Sequence, residues 1–167
     1  MKKSLFISLF LLLLTLPSAA QVKVGYYSND AVMHTMPAYV QVQKDLQQLR
    51  AQYDKETQRA QDEFNAKYEE FLESYNSLAP SIRRKRQVEL QQLMESNVKF
   101  REEAQRLLRQ AEQDAMLPLQ QIIEDAVGTV AEERGCIIVL NTDSNACPYI
   151  NPAVSEDITS YVSNALK

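Results

Sequence analysis

The sequence is poor in the residues that interrupt helices. Glycine occurs only three times in 167 residues, and Pro80 is the one proline between Pro37 and Pro118. Glycine and proline are the strongest local breaks in regular structure. Two uninterrupted stretches therefore remain, residues 38–79 and residues 81–117.

Residues suited to catalysis or to cofactor binding are also scarce. His34 is the only histidine, so a histidine-based metal site lacks a second ligand, and no glycine-rich phosphate-binding loop is present. We interpret His34 as a turn or packing residue between the first predicted strand and the first predicted helix. The glutamates are numerous but fall on predicted helices, where they form solvated faces. We therefore predict a protein that is not an enzyme and has no cofactor or metal.

Residues 1–20 have the composition of a signal peptide. Lys2 and Lys3 precede an apolar run over residues 5–16, and small residues follow at Ser18, Ala19 and Ala20. The apolar run is shorter than the ~20 residues that a membrane-spanning helix needs. Without a cysteine at the exit, a lipid anchor is not expected. We predict cleavage before Gln21 and export to a compartment without a dependable ATP supply.

The exported chain carries a moderate negative charge. Removal of Lys2 and Lys3 leaves 16 basic residues against 22 acidic ones, a net charge of −6. A basic protein that binds nucleic acid is therefore not indicated.

Apolar residues recur at the helical period in both central stretches. Steps of three and four residues connect Val42, Leu46, Leu49, Tyr53, Ala60, Phe64, Tyr68, Phe71, Tyr75 and Leu78, and a less regular series runs from Leu90 to Ala115. A helix over residues 38–79 would be about 60 Å long, too long for a compact domain of this mass. We predict a projecting antiparallel helical hairpin over residues 38–133, with its tip near residues 78–82.

The two flanks have the pattern of strands. Val22, Val24 and Tyr26 alternate with other residue types, as in a half-buried strand, whereas residues 136–140, "CIIVL", form an apolar run typical of a strand buried on both faces. Residues 141–146 have turn composition, so a returning strand is expected to start at Tyr149 and Ile150.

Glycine and acidic residues indicate the helix ends in the C-terminal part. Gly135 is well placed to end the helix before "CIIVL". A last amphipathic helix is predicted to begin near Asn151 and Pro152, or at Ser155, with Glu156 and Asp157 favouring its N-terminus.

The predicted body, residues 21–37 with residues 134–167, is too small to make a large core alone. We expect it to oligomerise through the predicted strands, with a shared core that contains Val22, Val24, Ile137, Ile138, Val139 and Leu140. The fold class is thus mainly α with a small β body.

Cys136 and Cys147 form an even pair in an exported chain, which raises the possibility of a disulfide. If residues 141–146 form a hairpin turn, Leu140 lies opposite Cys147 and Cys136 lies four residues farther along its strand. That separation exceeds the ~7 Å limit for a disulfide. The geometry favours two reduced core cysteines, with an intrachain bond as the alternative.

Two blocks of sequence resemble the Skp/OmpH-type periplasmic chaperone family. The first is "VKVGYYSNDAVMHTMPAYVQVQKDL", and the second runs from "LPLQQIIEDAV" through "CIIVL" to a Tyr-x-Asn-Pro and Asp-Ile-Thr ending at Tyr149, Asn151, Pro152, Asp157, Ile158 and Thr159. The central helices match only in kind.

The resemblance implies a jellyfish-like homotrimer in which strands form a central barrel and helical arms surround a cavity. It also implies a holdase that keeps unfolded outer-membrane proteins from aggregating without ATP. The best-known members are basic, whereas this chain is acidic, which puts in doubt client capture by net positive charge. A structural or adaptor coiled-coil protein of the cell envelope is the alternative.

An aromatic stripe on the first long helix has two interpretations. Phe64, Tyr68, Phe71 and Tyr75 follow the helical period. They would either pack in the seam against the second helix or overhang it and offer apolar contact to unfolded clients.

The hairpin tip and the arm base each have a candidate feature. Arg83, Arg84, Lys85 and Arg86 follow Pro80, either as a solvated helix start or as a contact for anionic lipid or lipopolysaccharide. Pro118 removes one helix hydrogen bond where the arm should meet the body, so we predict a hinge there.

Overall fold

The computed structural model describes residues 23–167. The predicted signal peptide and Val22 lie outside these residues. The chain is mainly helical, with one small sheet. Its elements, in chain order, are β1 (Val24–Tyr27), α1 (Asn29–Thr35), α2 (Pro37–Ser74), α3 (Pro80–Arg134), β2 (Ile138–Asn141), a 3-10 turn (Asp143–Asn145), β3 (Ser155–Asp157) and α4 (Thr159–Ala165).

The ends of the long helices follow from local chemistry. Helix α2 begins at Pro37 and α3 at Pro80, where the missing N–H costs nothing because a first-turn N–H has no partner in the helix. Helix α3 ends at Gly135, whose φ of 66° lies in the left-handed region. The N–H of Gly135 bonds back to the last turn of α3, which confirms the predicted helix end.

Helices α2 and α3 form an antiparallel hairpin. The rings of Tyr53 and Phe100 lie 6.3 Å apart, and the Asn97 side chain donates to the Ala60 carbonyl at 2.9 Å. Going along α2 from Tyr53 to Ala60, the contacting residues on α3 change from Phe100 to Asn97, so the two helices run in opposite directions. The helices are joined by residues 75–79, so the predicted hairpin is present.

The hydrophobic core lies at the end of the hairpin opposite to residues 75–79. It contains Val32, Met33, Met36, Leu119, Ile123, Val130, Ile158 and Val162. These residues come from α1, α3, α4 and the residues that precede α2 and α4. Residues 119–130, which the sequence assigned to the arm, are thus part of the body. One unbroken helix, α3, serves both the hairpin and the core.

The sheet is parallel, and this corrects the predicted hairpin of strands. Strand β1 lies between β2 and β3 and runs parallel to both. A parallel strand cannot return through a tight turn, so residues 142–154 cross back before β3 begins. The strand predicted at Tyr149 and Ile150 is absent from the described residues, and β3 lies at Ser155–Asp157.

The last helix also starts later than expected. Helix α4 begins at Thr159, whereas a start near Asn151 or Ser155 was predicted. Glu156 and Asp157 belong to strand β3 instead of a helix N-terminus. The predicted start used acidic residues that the fold places in the sheet, where Glu156 has cationic partners from other elements.

The two faces of the sheet have different neighbours. Gly25 is buried, and a Cβ on it would lie 3.1 Å from the Val139 side chain and 3.2 Å from the Cys136 sulfur. Val139 and Cys136 pack on the core, so this face is covered by helices. The opposite face carries Val24, Tyr26, Ile138 and Leu140, which are paired in register. Burial of "CIIVL" on both faces is therefore wrong for the single chain, since Ile138 is 50% exposed.

His34 and the cysteines have structural surroundings that the sequence left open. His34 lies in the last turn of α1, a helix that was not predicted, and packs edge-on against Tyr39 with 4.8 Å between ring centroids. Cys136 and Cys147 are both free, and Cys136 packs on the core, whereas the core does not include Cys147, so the prediction of two core cysteines is wrong for Cys147. The reason given for free cysteines was wrong, because β2 does not form a hairpin with the residues that follow it.

Candidate functional site

The seam between helices α2 and α3 divides the predicted aromatic stripe into buried and exposed rings. Phe71 is buried and Phe64 is half-buried, whereas Tyr68 is 45% exposed and Tyr75 is 38% exposed. Phe64 stacks on Tyr68 at 6.0 Å, and Phe71 meets Tyr75 edge-on at 5.5 Å. Each inner ring thus supports an outer ring. Seam packing describes the phenylalanines, and only the tyrosines overhang the seam.

A groove of about 550 Å³ lies between the helices near the tip. Its apolar lining comes from Phe71, Leu78, Ile82, Leu90 and Leu93, and its polar and charged lining comes from Lys67, Glu70, Ser74, Arg86, Glu89, Gln92 and Ser96. The charged side chains carry both signs, so the groove has no strong preference for a charged ligand.

Ion pairs follow the hairpin on its surface. They join Glu56 to Arg59, Glu63 to Lys67, Glu89 to Lys85 and Arg86, and Glu103 to Arg106. The hydrogen bond from Lys67 lowers the pKa of Glu63, and the one from Arg106 lowers the pKa of Glu103. All these groups are solvated, so each pair contributes little to stability.

The four cations at the tip have different roles. The Arg83 guanidinium lies 4.4 Å from the centroid of the Tyr75 ring and donates to the Leu78 carbonyl at 3.2 Å. Arg83 therefore holds the turn together. Lys85 and Arg86 share Glu89 at 3.8 and 3.0 Å. Among the described ion pairs none involves Arg84, which is exposed and so is the cation most available to a ligand.

A cluster of charges joins the base of the hairpin to the sheet. Glu156 in β3 accepts hydrogen bonds from Lys23, just before β1, and from Arg134, the last residue of α3. Lys23 also donates to the Arg134 carbonyl at 3.0 Å. The Arg134 guanidinium lies 4.0 Å from the Tyr161 ring centroid and donates to its hydroxyl. The Glu156 carboxylate thus connects strand β3 to the residue before β1 and to the end of α3.

The environment of Glu156 keeps it ionised. Hydrogen bonds from Arg134 first, and from Lys23 second, lower the pKa of Glu156 to about 2. The same contact raises the pKa of Arg134. Glu156 is therefore ionised at any physiological pH.

The predicted oligomer core is divided between two places. Val139 packs on the core of its own chain, whereas Ile138 and Leu140 lie on the opposite face of the sheet with Val24. Ile137 precedes β2 and is 71% exposed. Strands β2 and β3 are both edge strands, and an open edge can pair with another chain.

The predicted hinge lies inside a continuous helix. Pro118 is within α3 and is followed at once by the core residue Leu119. It therefore lies near the point where α3 leaves the core, and it does not end the helix.

Neither a metal site nor a membrane-spanning helix is found among residues 23–167. Within residues 23–167, no three histidine, cysteine or acidic side chains are grouped to hold a metal ion. Over the same residues, no helix has the length and hydropathy needed to cross a bilayer.

Sequence reasoning missed the cluster around Glu156 and the exposed Leu72. It counted Met94 and Val98 in the apolar series of the second long helix, although they are 51% and 46% exposed. The cluster had no sequence signal, because Arg134 and Lys23 are 22 and 133 residues away from Glu156 in the chain. The apolar residues had one: each lies beside, and not on, the seam positions of its helix.

A solved structure supports this fold. The chain is similar to a protein from Caulobacter crescentus described as an OmpH-like outer membrane chaperone, with a TM-score of 0.74 and 19% sequence identity. The similarity covers 89% of this chain and 86% of that one. At this identity the likeness establishes the fold. No curated protein matches the sequence.

Family membership rests on the sequence itself. Residues 23–166 match the family described as outer membrane protein (OmpH-like). The match includes β1, the whole hairpin, the sheet and α4, and therefore nearly all the described residues. The chain belongs to the OmpH-like family.

Proposed function

We propose that this protein is an ATP-independent holdase that binds unfolded outer-membrane proteins in the periplasm. The observation that carries the proposal is the hairpin, in which two long helices extend from a small core and expose apolar side chains such as Tyr68, Leu72 and Met94. Such a surface supports many weak contacts instead of one tight site. The chaperone description of the structurally similar Caulobacter protein agrees with this role.

The proposed active form is a homotrimer with a client cavity between three hairpins. The apolar face with Val24, Ile138 and Leu140, together with the open edges of β2 and β3, supports assembly through the sheets. Three arms around one cavity would increase avidity, because each further contact occurs at a high effective concentration.

The exposed tip cations support a second contact, with anionic lipid or lipopolysaccharide. Arg84 and its two further copies in a trimer would approach the membrane together. Each base near an anionic surface contributes roughly 1 kcal/mol. This contact would direct the open end of the cage toward the membrane, and it is secondary to client holding.

The test is suppression of aggregation. A urea-unfolded outer-membrane β-barrel protein is diluted into buffer with and without the purified chain, in the absence of nucleotide, and light scattering is followed. We expect scattering to be suppressed near one trimer per client. If scattering is unchanged at a large excess of the chain, the holdase role is wrong and a structural envelope protein becomes the better assignment.

A further inference from the structure

The two exposed faces of the outer hairpin differ in chemistry. Successive residues of an α-helix are rotated by about 100° about the helix axis. We measure the rotation of each residue from a buried residue of the seam, which is Phe71 on α2 and Ala104 on α3. Because α2 and α3 are antiparallel, the same sense of rotation on both helices leads to the same face of the hairpin. We call the face at rotations of about 40° to about 140° the uncharged face.

The uncharged face combines apolar and amide side chains. It carries Tyr68 and Leu72 on α2 and Met94 and Val98 on α3, which are 45%, 53%, 51% and 46% exposed. Gln61 and Asn65 on α2 and Gln87 on α3 lie beside them on the same face. Over residues 57–74 and 84–100, no charged residue falls on this face. By the same rotation, Asp54 on α2 and Arg83 and Arg101 on α3 lie on it directly beyond these ranges and mark its ends.

The opposite face carries the ion pairs. Glu63, Lys67, Glu89 and Glu103 lie there, and each has a salt-bridge partner. Most of the charged lining of the groove near the tip also comes from this face. That agreement between side-chain contacts and rotation supports the division into two faces.

We propose that the uncharged face is the surface that contacts the unfolded outer-membrane protein, so that clients are held without regard to their charge. This inference rests on the proposed holdase function and adds the residues and the kind of contact. The client would lie along Tyr68, Leu72, Met94 and Val98, while the ion-paired face stays in solvent.

The chemistry of the face fits an unfolded membrane strand. Such strands alternate apolar and polar residues, and an unfolded chain also has backbone N–H and C=O groups without partners. The apolar side chains of the uncharged face can contact the apolar residues of the client, and its amides can hydrogen-bond to the client's backbone groups. The face spans about 25 Å along α3 over residues 84–100, enough for about seven extended residues.

Other occupants fit this face less well. Anionic lipid or nucleic acid would need cations, which the stretch between Arg83 and Arg101 lacks on this face. A helix of a second copy would need a continuous apolar stripe, but Gln61 and Asn65 interrupt it on α2 and Gln87 and Gln91 interrupt it on α3.

Two valines of α3 provide a matched test. Val98 is 46% exposed on the uncharged face, and Val88 is 48% exposed outside it. Affinity for a fluorescent, urea-unfolded outer-membrane barrel protein is measured by titration. We expect V98Q to weaken binding about threefold, V88Q to change it less than about 1.5-fold, and the triple variant L72Q/M94Q/V98Q to weaken it about tenfold or more. Helix content and assembly mass are checked for each variant.

Salt and cross-linking give independent readouts. Wild-type affinity should change less than about threefold between about 0.05 and about 0.5 M NaCl, because no exposed charges make the contact. A photo-reactive residue at position 98 should cross-link to the client, and one at position 88 should not, even if the triple variant fails to fold.

The outcomes separate the two proposals. If the wild-type chain does not bind the client, the holdase function itself is wrong. If it binds but V88Q and V98Q have equal effects, cross-linking is equal at both positions, or affinity collapses with salt, the holdase function stands and the uncharged face is not the contact surface.

Discussion

At the scale of single residues, the Glu156 carboxylate connects the base of the hairpin to the sheet. It interacts with Lys23 from the start of β1 and Arg134 from the end of α3, while Tyr161 of α4 packs on the same arginine. These contacts hold the base of the hairpin on the sheet. The side chains are partly exposed, so the cluster acts through geometry and solvated ion pairs more than through burial.

The first prediction is that Glu156→Gln lowers the Tm at neutral pH and removes part of its acid dependence. The folded-state pKa of Glu156 is about 2, below the unfolded value. Its contribution is therefore complete above about pH 4.5 and is lost as the pH falls toward 2. The Tm difference between wild type and variant should shrink over that window. A difference that stays constant from pH 7 to pH 2, in melts followed by circular dichroism, would contradict this assignment.

The second prediction separates two neighbouring arginines at the tip. Arg83→Gln should destabilise the turn and lower the Tm, because Arg83 contacts Tyr75 and Leu78. Arg84→Gln should leave the Tm unchanged and reduce sedimentation with anionic vesicles, because Arg84 is exposed and lies outside the described ion pairs. Neutral vesicles are the control. If Arg84→Gln has no effect on vesicle binding while the wild type binds, the lipid contact does not involve this residue.

At the scale of elements, α3 combines two tasks that the sequence had separated. Its outer part packs on α2, and its inner part supplies Leu119, Ile123 and Val130 to the core. The helix passes through Pro118 without ending. Proline in a helix interior leaves the carbonyl four residues earlier without its usual partner. That missing bond lies just outside the core, where bending would move the whole hairpin.

The third prediction concerns Pro118 as a hinge. Pro118→Ala restores a backbone donor and should stabilise α3 by up to about 3 kcal/mol, the usual cost of an interior proline. Small-angle scattering should show a narrower spread of hairpin positions. Gln120→Ala, an exposed neighbour, is the control. Identical scattering profiles for wild type and Pro118→Ala would remove the hinge role.

At the scale of the whole molecule, the body of the single chain leaves apolar side chains of its sheet exposed. A sheet of three short strands has helices on one face. The opposite face carries apolar residues from β1 and β2, Val24, Tyr26, Ile138 and Leu140, beside Ser155 and Asp157 of β3. Both edge strands are open within the described residues. Apolar faces and open edges favour association, and the proposed trimer would cover both.

The fourth prediction concerns this proposed assembly. Ile138→Asp should dissociate or unfold the trimer, because an unpaired charge would enter the shared core. Val88→Asp, at an equally exposed position on the hairpin, should leave the assembly intact. Molar mass from light scattering at micromolar concentration distinguishes the cases. A folded wild-type monomer at that concentration would refute the shared core.

The sequence by itself determined the features that depend on near neighbours. Apolar periodicity and the lack of breakers predicted the hairpin, and Pro80 and Gly135 marked helix ends, because these signals act over one or two turns. They also located the strand-bearing part of the body, without residues 119–130 of α3. The resemblance named the family that the match over residues 23–166 confirmed.

Only the tertiary structure decided the features that depend on distant partners. The parallel direction of β2, the position of β3 at Ser155–Asp157 and the ion pairs of Glu156 are set by pairing with β1 and α3, more than 20 residues away in the chain. Strand composition is similar for parallel and antiparallel pairing when the strands are this short. That Phe71 lies in the seam and Tyr68 on the surface likewise depends on the position of α3. The apolar stripe of an amphipathic helix covers more of its surface than one partner helix can bury, so the sequence does not show which residues of the stripe are buried.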